Sequence, residues 1–388
     1  MTALLFLLIA IVGHFGLHLA MYNRVNATGL QRKTVKRISK LLLASCLVIP
    51  LLVFATIRRN IDLSSLSLQS IESTSPFLMA YGAVCVFSTF FLGVPWILWR
   101  PALRREWIDA QRTVNVVDVR ASVQEPLAVS ARCKWQSHIP GNQIFQLAIE
   151  AIDLPVKRLP AALAGLRIAH LSDIHLTGDI SAAFTKYVVQ ETNRWQPDLC
   201  VITGDIVDAQ PCIEWLEPIF GPTKARLGKY FVLGNHDLRV PDSSLIRRAL
   251  ENCGWTDVGG KTITLSIDDE TIELIGNEYP WFPAPRVEPL DVHSAVPFRL
   301  LLSHSPDQIH WARRRGVQLM LAGHTHGGQG RLPLAGPLIS PSWHGSRYAS
   351  GDFYRHPTTM HVSRGLAGVH LVRIRCRPEL SLLTLRCA

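Results

Sequence analysis

The chain has 388 residues, of which 48% are hydrophobic, and it carries a formal net charge of +10. This length and composition predict a core of more than one layer and more than one structural region. Residues 1–112 hold twelve Lys or Arg against four Asp or Glu, whereas the rest of the chain is nearly balanced. A nucleic-acid-binding domain carries its basic excess on itself, so the charge argues against nucleic acid as the main partner. Basic segments beside apolar ones are typical of proteins that contact an anionic membrane surface.

Three apolar stretches open the chain, at residues 2–22, 38–57 and 77–99. Each is close to the ~20 residues that a helix needs to cross a bilayer, so the sequence predicts three transmembrane helices. A cleaved signal peptide is the alternative for the first stretch. Such a peptide begins with a positive segment, but the first basic residue here is Arg24, after the apolar run.

The loops between these stretches predict an orientation, because Lys and Arg near a membrane are retained on the cytoplasmic side. Six basic residues lie in the loop after the first stretch and at the start of the second: Arg24, Arg32, Lys33, Lys36, Arg37 and Lys40. The next loop has only Arg58 and Arg59, offset by Asp62 and Glu72. Four more follow the third stretch: Arg100, Arg104, Arg105 and Arg112. The pattern predicts an external N-terminus and a cytoplasmic C-terminal domain at a plasma or inner membrane. The eight cysteines show no CxxC spacing, which is typical of reduced thiols and agrees with a cytoplasmic domain.

The first apolar stretch contains two histidines, His14 and His18, that are four residues apart and so lie on one face of a helix. Ionisable side chains inside a membrane segment are candidates for function. The pair is compatible with an interhelical hydrogen bond, a metal site or a haem site.

Residues 113–160 form a predicted β-containing lead-in, with strand-like sequences TVNVVDVRA and IFQLAIEAIDLPV. Short apolar runs, typical of strands buried on both faces, then alternate with helical patterns through residues 161–388. The runs are 167–171, 199–203, 230–233, 299–303 and 318–322, and the helices 181–195, 211–220, 243–253 and 306–315. This alternation predicts a layered α/β domain.

Side chains that bind metals follow every one of these apolar runs, where the loops of an α/β sheet build ligand sites. They are Asp173 and His175, Asp205 and Asp208, Asn235 to Asp237, His304, and His324 with His326. Oxygen and imidazole ligands without cysteine suit Mn, Fe, Zn or Mg. This set exceeds the ligands of one four-coordinate site, so the sequence predicts two ions that share a carboxylate.

The order of these motifs, D-x-H, G-D-x-x-D, G-N-H-D, SHSPD and G-H-T-H, resembles the calcineurin-like metallophosphoesterases over about residues 160–388. The resemblance implies a four-layer α-β-β-α sandwich, here preceded by three transmembrane helices. It also implies phosphoester hydrolysis by a hydroxide that two divalent ions activate, with Mn favoured and Fe, Zn or Mg as alternatives.

Carried over residue by residue, the resemblance gives one metal the ligands Asp173, His175 and His326. The other metal receives Asn235, His304 and His324, and Asp205 bridges the two. His236 is the general acid for the departing oxygen, and Asp237 is its possible orienting partner. For Asp208, capping of a loop is favoured over a direct metal role.

The resemblance specifies the reaction more closely than it specifies the substrate. The membrane region, the basic flanks and the aromatic loop with Tyr279, Trp281 and Phe282 favour a lipid or lipid-linked phosphodiester, as in the similar UDP-2,3-diacylglucosamine pyrophosphatases. That loop, within residues 271–285, is equally compatible with a membrane contact or with structural filling. The alternatives are a membrane sensor with a phosphoesterase output, a phosphoesterase for soluble nucleotides or phosphoproteins, and a degenerate binding module.

Overall fold

The computed structural model describes residues 3–62, 66–98, 106, 108–267, 270–288, 297–368 and 370–388. The chain divides into two compact units. The first comprises Met1–Arg105 with Trp343–Arg347, and the second comprises Glu106–Ser342 with Tyr348–Ala388. The predicted domain limits at 112/113 and 160/161 stay predictions.

The first unit is helical, with α1 at Ala3–Val25, α2 at Arg32–Asn60, α3 at Leu68–Thr74 and α4 at Pro76–Leu98. Helices α1, α2 and α4 are long and apolar enough to cross a membrane. Helix α2 begins six residues before the predicted stretch, because Lys and Arg are good helix formers although they are not apolar. Residues 2 and 99, and the predicted cytoplasmic Arg100, Arg104 and Arg105, lie outside the described ranges.

Helices α1 and α4 approach each other closely at Gly13. A Cβ atom there would lie 1.7 Å from the carbonyl oxygen of Cys85. One turn away, the hydroxyl of Thr89 donates a hydrogen bond to the carbonyl of Ile9 at 2.8 Å. Small residues at such positions let two membrane helices bring their backbones together.

The second unit is built on β-strands joined by shorter helices. In chain order, the strands of the described residues are β1 Gln111–Asp118, β2 Gln146–Val156, β3 Arg167–Leu171, β4 Leu199–Thr203, β5 Gly228–Val232, β6 Thr256–Asp257, β7 Thr262–Ile267, β8 Glu270–Asn277, β9 Phe298–Ser303, β10 Leu319–Ala322, β11 Arg331–Leu332, β12 Gly336–Pro337, β13 Gly351–Arg355, β14 Thr358–Val362 and β15 Glu379–Cys387. The helices are α5 Ala131–Ser137, α6 Ala182–Trp195, α7 Leu216–Phe220, α8 Ser244–Asn252 and α9 Ile309–Arg314. The predicted apolar runs all fall on strands, with bounds that differ by two residues at most.

These strands form two large sheets. One has seven strands in the order β1-β2-β15-β3-β4-β5-β6, and the other has six in the order β13-β14-β10-β9-β8-β7. Strands β3 to β6 run parallel to one another, as do β8, β9, β10 and β14. Strands β15, β7 and β13 pair antiparallel with β3, β8 and β14. The predicted lead-in strands correspond to β1 and β2, which pair at one edge of the seven-stranded sheet.

The two sheets face each other across a buried apolar layer that includes Ile168, Val201, Leu300 and Leu321. Helices α6, α7 and α8 cover the outer face of the larger sheet, through residues such as Phe184. Helix α9 covers the outer face of the smaller sheet. The predicted α/β sandwich with layers α-β-β-α is confirmed.

Candidate metal centre

The seven predicted ligands follow the carboxyl ends of five strands, three in the larger sheet and two in the smaller one. Strands β3, β4 and β5 are parallel neighbours, and so are β9 and β10, so the loops after each set lie at one edge. Two groups of ligand atoms result, each within 4.8 Å. The first is Asp173, His175, Asp205 and His326, and the second is Asp205, His304 and His324. The amide oxygen of Asn235 joins the second group, 3.1 Å from Nε2 of His304.

Five of these residues have left-handed backbone conformations. Their φ angles lie between 50° and 69°, at Asp173, His175, Asp205, His324 and His326. Residues with a side chain rarely adopt this region, and such strain gathers where the surrounding fold enforces it for function. Gly323 shows how tightly the loops meet, because a Cβ there would lie 1.8 Å from Oγ of Ser172.

Hydrogen bonds fix the tautomers of two histidines in the first group. Nδ1 of His175 lies 2.6 Å from a carboxylate oxygen of Asp208, and Nδ1 of His326 lies 3.2 Å from the carbonyl of Ala367. Because both partners only accept hydrogen bonds, each Nδ1 carries the hydrogen. The lone pairs on Nε2 of His175 and Nε2 of His326 then face each other at 3.3 Å. Oδ1 of Asp173 is 3.5 Å from Nε2 of His326. Such crowded acceptors fit a divalent cation between them.

The second group shows the same pattern. Nδ1 of His304 donates to the carbonyl of Thr203 at 2.7 Å, and its Nε2 faces Asn235 and, at 3.2 Å, Oδ2 of Asp205. Nε2 of His324 is buried and has no hydrogen-bond partner among the described residues. Burial lowers the pKa of His304, but the negative charge of Asp205 outweighs it and raises the pKa to about 9. The position therefore attracts positive charge, as a metal site must.

Asp205 lies between the two groups. Its Oδ1 accepts the backbone N–H of His236 at 2.7 Å, which fixes the carboxylate. Its Oδ2 is 3.6 Å from Nε2 of His175 in the first group and 3.2 Å from Nε2 of His304 in the second. The two predicted ligand sets thus meet at the one carboxylate that the resemblance gave as their bridge.

Asp208 connects the first group to His236. One carboxylate oxygen accepts from His175, and the other lies 2.7 Å from Nδ1 of His236 and pairs with Arg239. Nε2 of His236 is 3.0 Å from a guanidinium nitrogen of Arg239. Burial alone would raise the pKa of Asp208, but His175 and His236 hold it well below its usual range. Burial lowers the pKa of His236.

Comparison with known proteins identifies relatives of this chain. The sequence model of the family described as Calcineurin-like phosphoesterase matches residues 166–328. The uncharacterized metallophosphoesterase YkuE of Bacillus subtilis (strain 168) is 32% identical over 234 residues, which are 59% of this chain and 82% of that protein. The chain belongs to the calcineurin-like phosphoesterase family. It is therefore a metal-dependent phosphoric ester hydrolase.

Two further relatives of this phosphoesterase have named activities. Phosphodiesterase YaeI of Escherichia coli (strain K12) is 28% identical over 226 residues, covering 57% of this chain and 83% of that protein. UDP-2,3-diacylglucosamine pyrophosphatase LpxG of Chlamydia muridarum (strain MoPn / Nigg) is 25% identical over 310 residues, covering 65% of this chain and 92% of that protein.

Asp237 was predicted as a possible partner that orients His236, but the carboxylate that contacts Nδ1 of His236 is that of Asp208. The carboxylate of Asp237 instead accepts backbone N–H groups from Ile206 and Val207 at 2.9 Å and from Gly234 at 2.8 Å. Burial and the nearby charge of Asp205 raise its pKa to about 7. These contacts tie the loop after β4 to the loop after β5. A catalytic role for Asp237 stays a prediction.

A buried chain of hydroxyl groups supports Asp173 and was missed by sequence reasoning. The hydroxyl of Thr203 donates to Oγ of Ser172 at 2.8 Å, and Ser172 donates to Oδ2 of Asp173 at 2.7 Å. Nε2 of His170 lies 2.8 Å from Oγ1 of Thr203, at the far end of this chain of contacts. His170 lies within β3, Ser172 follows that strand, and Thr203 is the last residue of β4. Nothing in the sequence marks these polar residues as a connected set.

Trp281 is the residue of the aromatic loop that borders the metal ligands. Its ring centroid lies 4.8 Å from that of His324 and 5.3 Å from that of His304. Phe282 instead packs under the guanidinium of Arg247, and the side chain of Tyr279 is exposed. The indole therefore forms an apolar wall on the side of the second ligand group.

Proposed function

We propose that this phosphoesterase uses two divalent metal ions to hydrolyse a phosphodiester or pyrophosphate bond, in a lipid or lipid-linked nucleotide, at a membrane. The observation that supports this proposal most directly is that two groups of buried ligand atoms meet at the carboxylate of Asp205. Two ions that share a carboxylate are typical of phosphoester hydrolases with paired metals.

The first ion would be held by Asp173, His175 and His326, and the second by Asn235, His304 and His324, with Asp205 shared. Carboxylate, amide and imidazole ligands without a thiolate favour Mn, with Fe, Zn or Mg as alternatives. Bound divalent ions supply a Lewis acid for the phosphoryl oxygens and lower the pKa of a water ligand toward ~7.

His236 donates a proton to the departing oxygen in this proposal. In the resting geometry its Nδ1 hydrogen faces Asp208, and Nε2 accepts from Arg239. Nε2 must therefore gain a proton before it acts as an acid, and Asp208 stabilises the imidazolium that results. Arg239 carries a fixed charge beside this nitrogen, which suits it to bind a phosphoryl oxygen of the substrate.

Three observations support a lipid or lipid-linked substrate and a preference for diesters over monoesters. The chain has three helices of membrane-spanning length. Trp281 offers an apolar surface beside the metal ligands. The relative LpxG is a pyrophosphatase for a nucleotide-linked lipid by its name. The loop charges support a multi-pass protein whose catalytic unit faces the cytoplasm, where such a substrate lies at the inner surface.

Hydrolysis by the full chain in mild detergent tests this proposal. The protein is stripped of metal, resupplied with Mn²⁺, and assayed on UDP-2,3-diacylglucosamine, bis-p-nitrophenyl phosphate and p-nitrophenyl phosphate. Cleavage of the UDP lipid with release of UMP is expected. Activity on the small diester alone would leave the metal mechanism standing and refute the lipid substrate. Inactivity on all three would favour a binding module.

A second candidate is a membrane sensor whose output is the phosphoesterase. The burial of His14 and His18 within the helical unit favours it, because buried polar groups in a membrane segment mark functional positions. Replacing both with Ala should change how whole membranes regulate the activity. Wild-type behaviour of the double variant under every condition would remove this candidate.

A further inference from the structure

The first unit, which contains helices α1 to α4 and is called the membrane-helix unit below, contains a second cluster of potential metal ligands. This cluster is separate from the phosphoesterase centre. His14 and His18 on α1 are buried, with 3% and 8% of their surface exposed. Cys46 on α2 is a free cysteine. One ligand atom from each of these three residues lies within 4.8 Å of the other two. None of them has a role in phosphoester hydrolysis.

Backbone carbonyls fix the tautomers of both histidines. Nε2 of His14 lies 3.0 Å from the carbonyl of Cys46, and Nδ1 of His18 lies 2.8 Å from the carbonyl of His14. A carbonyl only accepts, so these two nitrogens carry the hydrogens. Nδ1 of His14 and Nε2 of His18 are left with lone pairs. A histidine that donates its other N–H to a backbone carbonyl is the usual form of a metal-ligating histidine.

Two hydroxyl groups lie beside the lone pairs of the histidines. The hydroxyl of Tyr81 lies 2.6 Å from Nδ1 of His14 and can donate to it. The hydroxyl of Ser45 lies 3.0 Å from Nε2 of His18, but it also lies 3.1 Å from the carbonyl of Leu42. The Ser45 hydroxyl has one hydrogen and donates to only one of these acceptors at a time, so it can release Nε2 of His18 by turning to the carbonyl of Leu42.

We propose that His14, His18 and Cys46 bind a soft or borderline cation, Cu⁺ or Zn²⁺, inside the membrane-helix unit. Two imidazoles and a thiolate are the ligands that these ions prefer. Ligand atoms around such an ion are about 3.5 Å apart, given bonds of about 2.0–2.3 Å, so small side-chain movements complete the site. Binding releases the thiol proton of Cys46 to solvent.

Net charge distinguishes the two ions. One thiolate neutralises Cu⁺ fully but leaves a single positive charge with Zn²⁺. An uncompensated charge is costly in an apolar interior, so Cu⁺ is the favoured occupant. Zn²⁺ also prefers four ligands, whereas this cluster supplies three.

Metal analysis of the full chain tests the site. Protein purified in mild detergent is dialysed against Cu⁺ under reducing conditions or against Zn²⁺, and each metal is counted per chain by mass spectrometry. The ligand variants Cys46→Ser and His18→Gln should each hold about one equivalent less than wild type. The matched controls Ser45→Ala and Tyr81→Phe remove hydrogen-bond partners and should keep the copper. Equal contents in wild type and both ligand variants would overturn the proposal.

Two further measurements keep the result interpretable. Hydrolysis of bis-p-nitrophenyl phosphate, relative to wild type, reports whether each variant is folded. Titration of wild type with Co²⁺ should produce thiolate-to-metal charge-transfer absorption, which Cys46→Ser should lack. If the wild-type chain shows no such absorption and no extra copper or zinc, His14 and His18 form a hydrogen-bond network only.

Discussion

Replacing Asp208 with Asn tests the link between the first ligand group and the proton donor. The substitution keeps the size of the side chain, but its NH₂ group cannot accept a hydrogen bond. Asp208 accepts from His175 at 2.6 Å and from His236 at 2.7 Å, so at least one of these bonds is lost along with the charge that pairs with Arg239.

The expected size of the effect follows from these two bonds. Losing the support of a metal-ligating histidine weakens metal affinity about 10–100-fold. Losing the carboxylate beside His236 removes part of a general-acid contribution that is typically about 10²–10⁴-fold. We therefore expect Mn²⁺ to bind about tenfold more weakly, and kcat at saturating Mn²⁺ to fall at least about 100-fold.

The assay is hydrolysis of bis-p-nitrophenyl phosphate by the full chain across a Mn²⁺ titration, with metal affinity measured separately by calorimetry. Asp118→Asn is the matched control, because Asp118 is remote from the metal ligands in sequence and forms its ion pair locally, with Arg120. That variant should match wild type in both measurements. Wild-type kcat and Mn²⁺ affinity in Asp208→Asn would refute the assigned role.

Three other predictions concern one metal ligand and two residues that support the ligands. Ser172→Ala removes the hydroxyl 2.7 Å from Asp173, so Mn²⁺ affinity by calorimetry should fall about tenfold with little change in Tm; unchanged affinity would contradict the supporting role. Gly323→Ala should lower the free energy of unfolding by about 1–3 kcal/mol in thermal unfolding and abolish Mn²⁺ binding, because the new Cβ would overlap Ser172. The control Gly330→Ala should change neither quantity, because a Cβ at Gly330 would have no atom within 4 Å. The pKa of His304, raised to about 9, means that the metal-free protein gains stability from this group below pH ~6.5 and loses it as pH rises toward 9. Mn²⁺ binding at pH 7 should accordingly release about one proton from His304, measured by calorimetry in buffers of different ionisation enthalpy; no proton release would show that His304 is not a ligand.

The strands that carry the ligands were predictable because they are buried on both faces and therefore read as continuous apolar runs. Strands β13 and β14 were not predicted, since polar residues interrupt them. His361 and Asp352 are both buried there, and Nδ1 of His361 lies 2.7 Å from Oδ1 of Asp352. Pairing within the fold makes such burial possible, and a single sequence does not record the pairing.

The ligand residues were predictable from motif order, but their supporting contacts were not. Asp237 is adjacent to His236 in sequence, yet Asp208 from another loop holds the ring, because the loops after β4 and β5 meet only in the folded sheet. Similarly, the spacing of His14 and His18 placed them on one helix face without indicating that Cys46 and Tyr81, on two other helices, complete their surroundings.

The central claim is that two metal ions share Asp205. The most direct measurement is the anomalous diffraction of Mn²⁺ in crystals of the full chain. Two anomalous peaks about 3.5–4 Å apart are expected, one on each side of the Asp205 carboxylate. Asp173, His175 and His326 should surround one peak, and Asn235, His304 and His324 the other. A single peak, or two peaks that do not both contact Asp205, would contradict the claim.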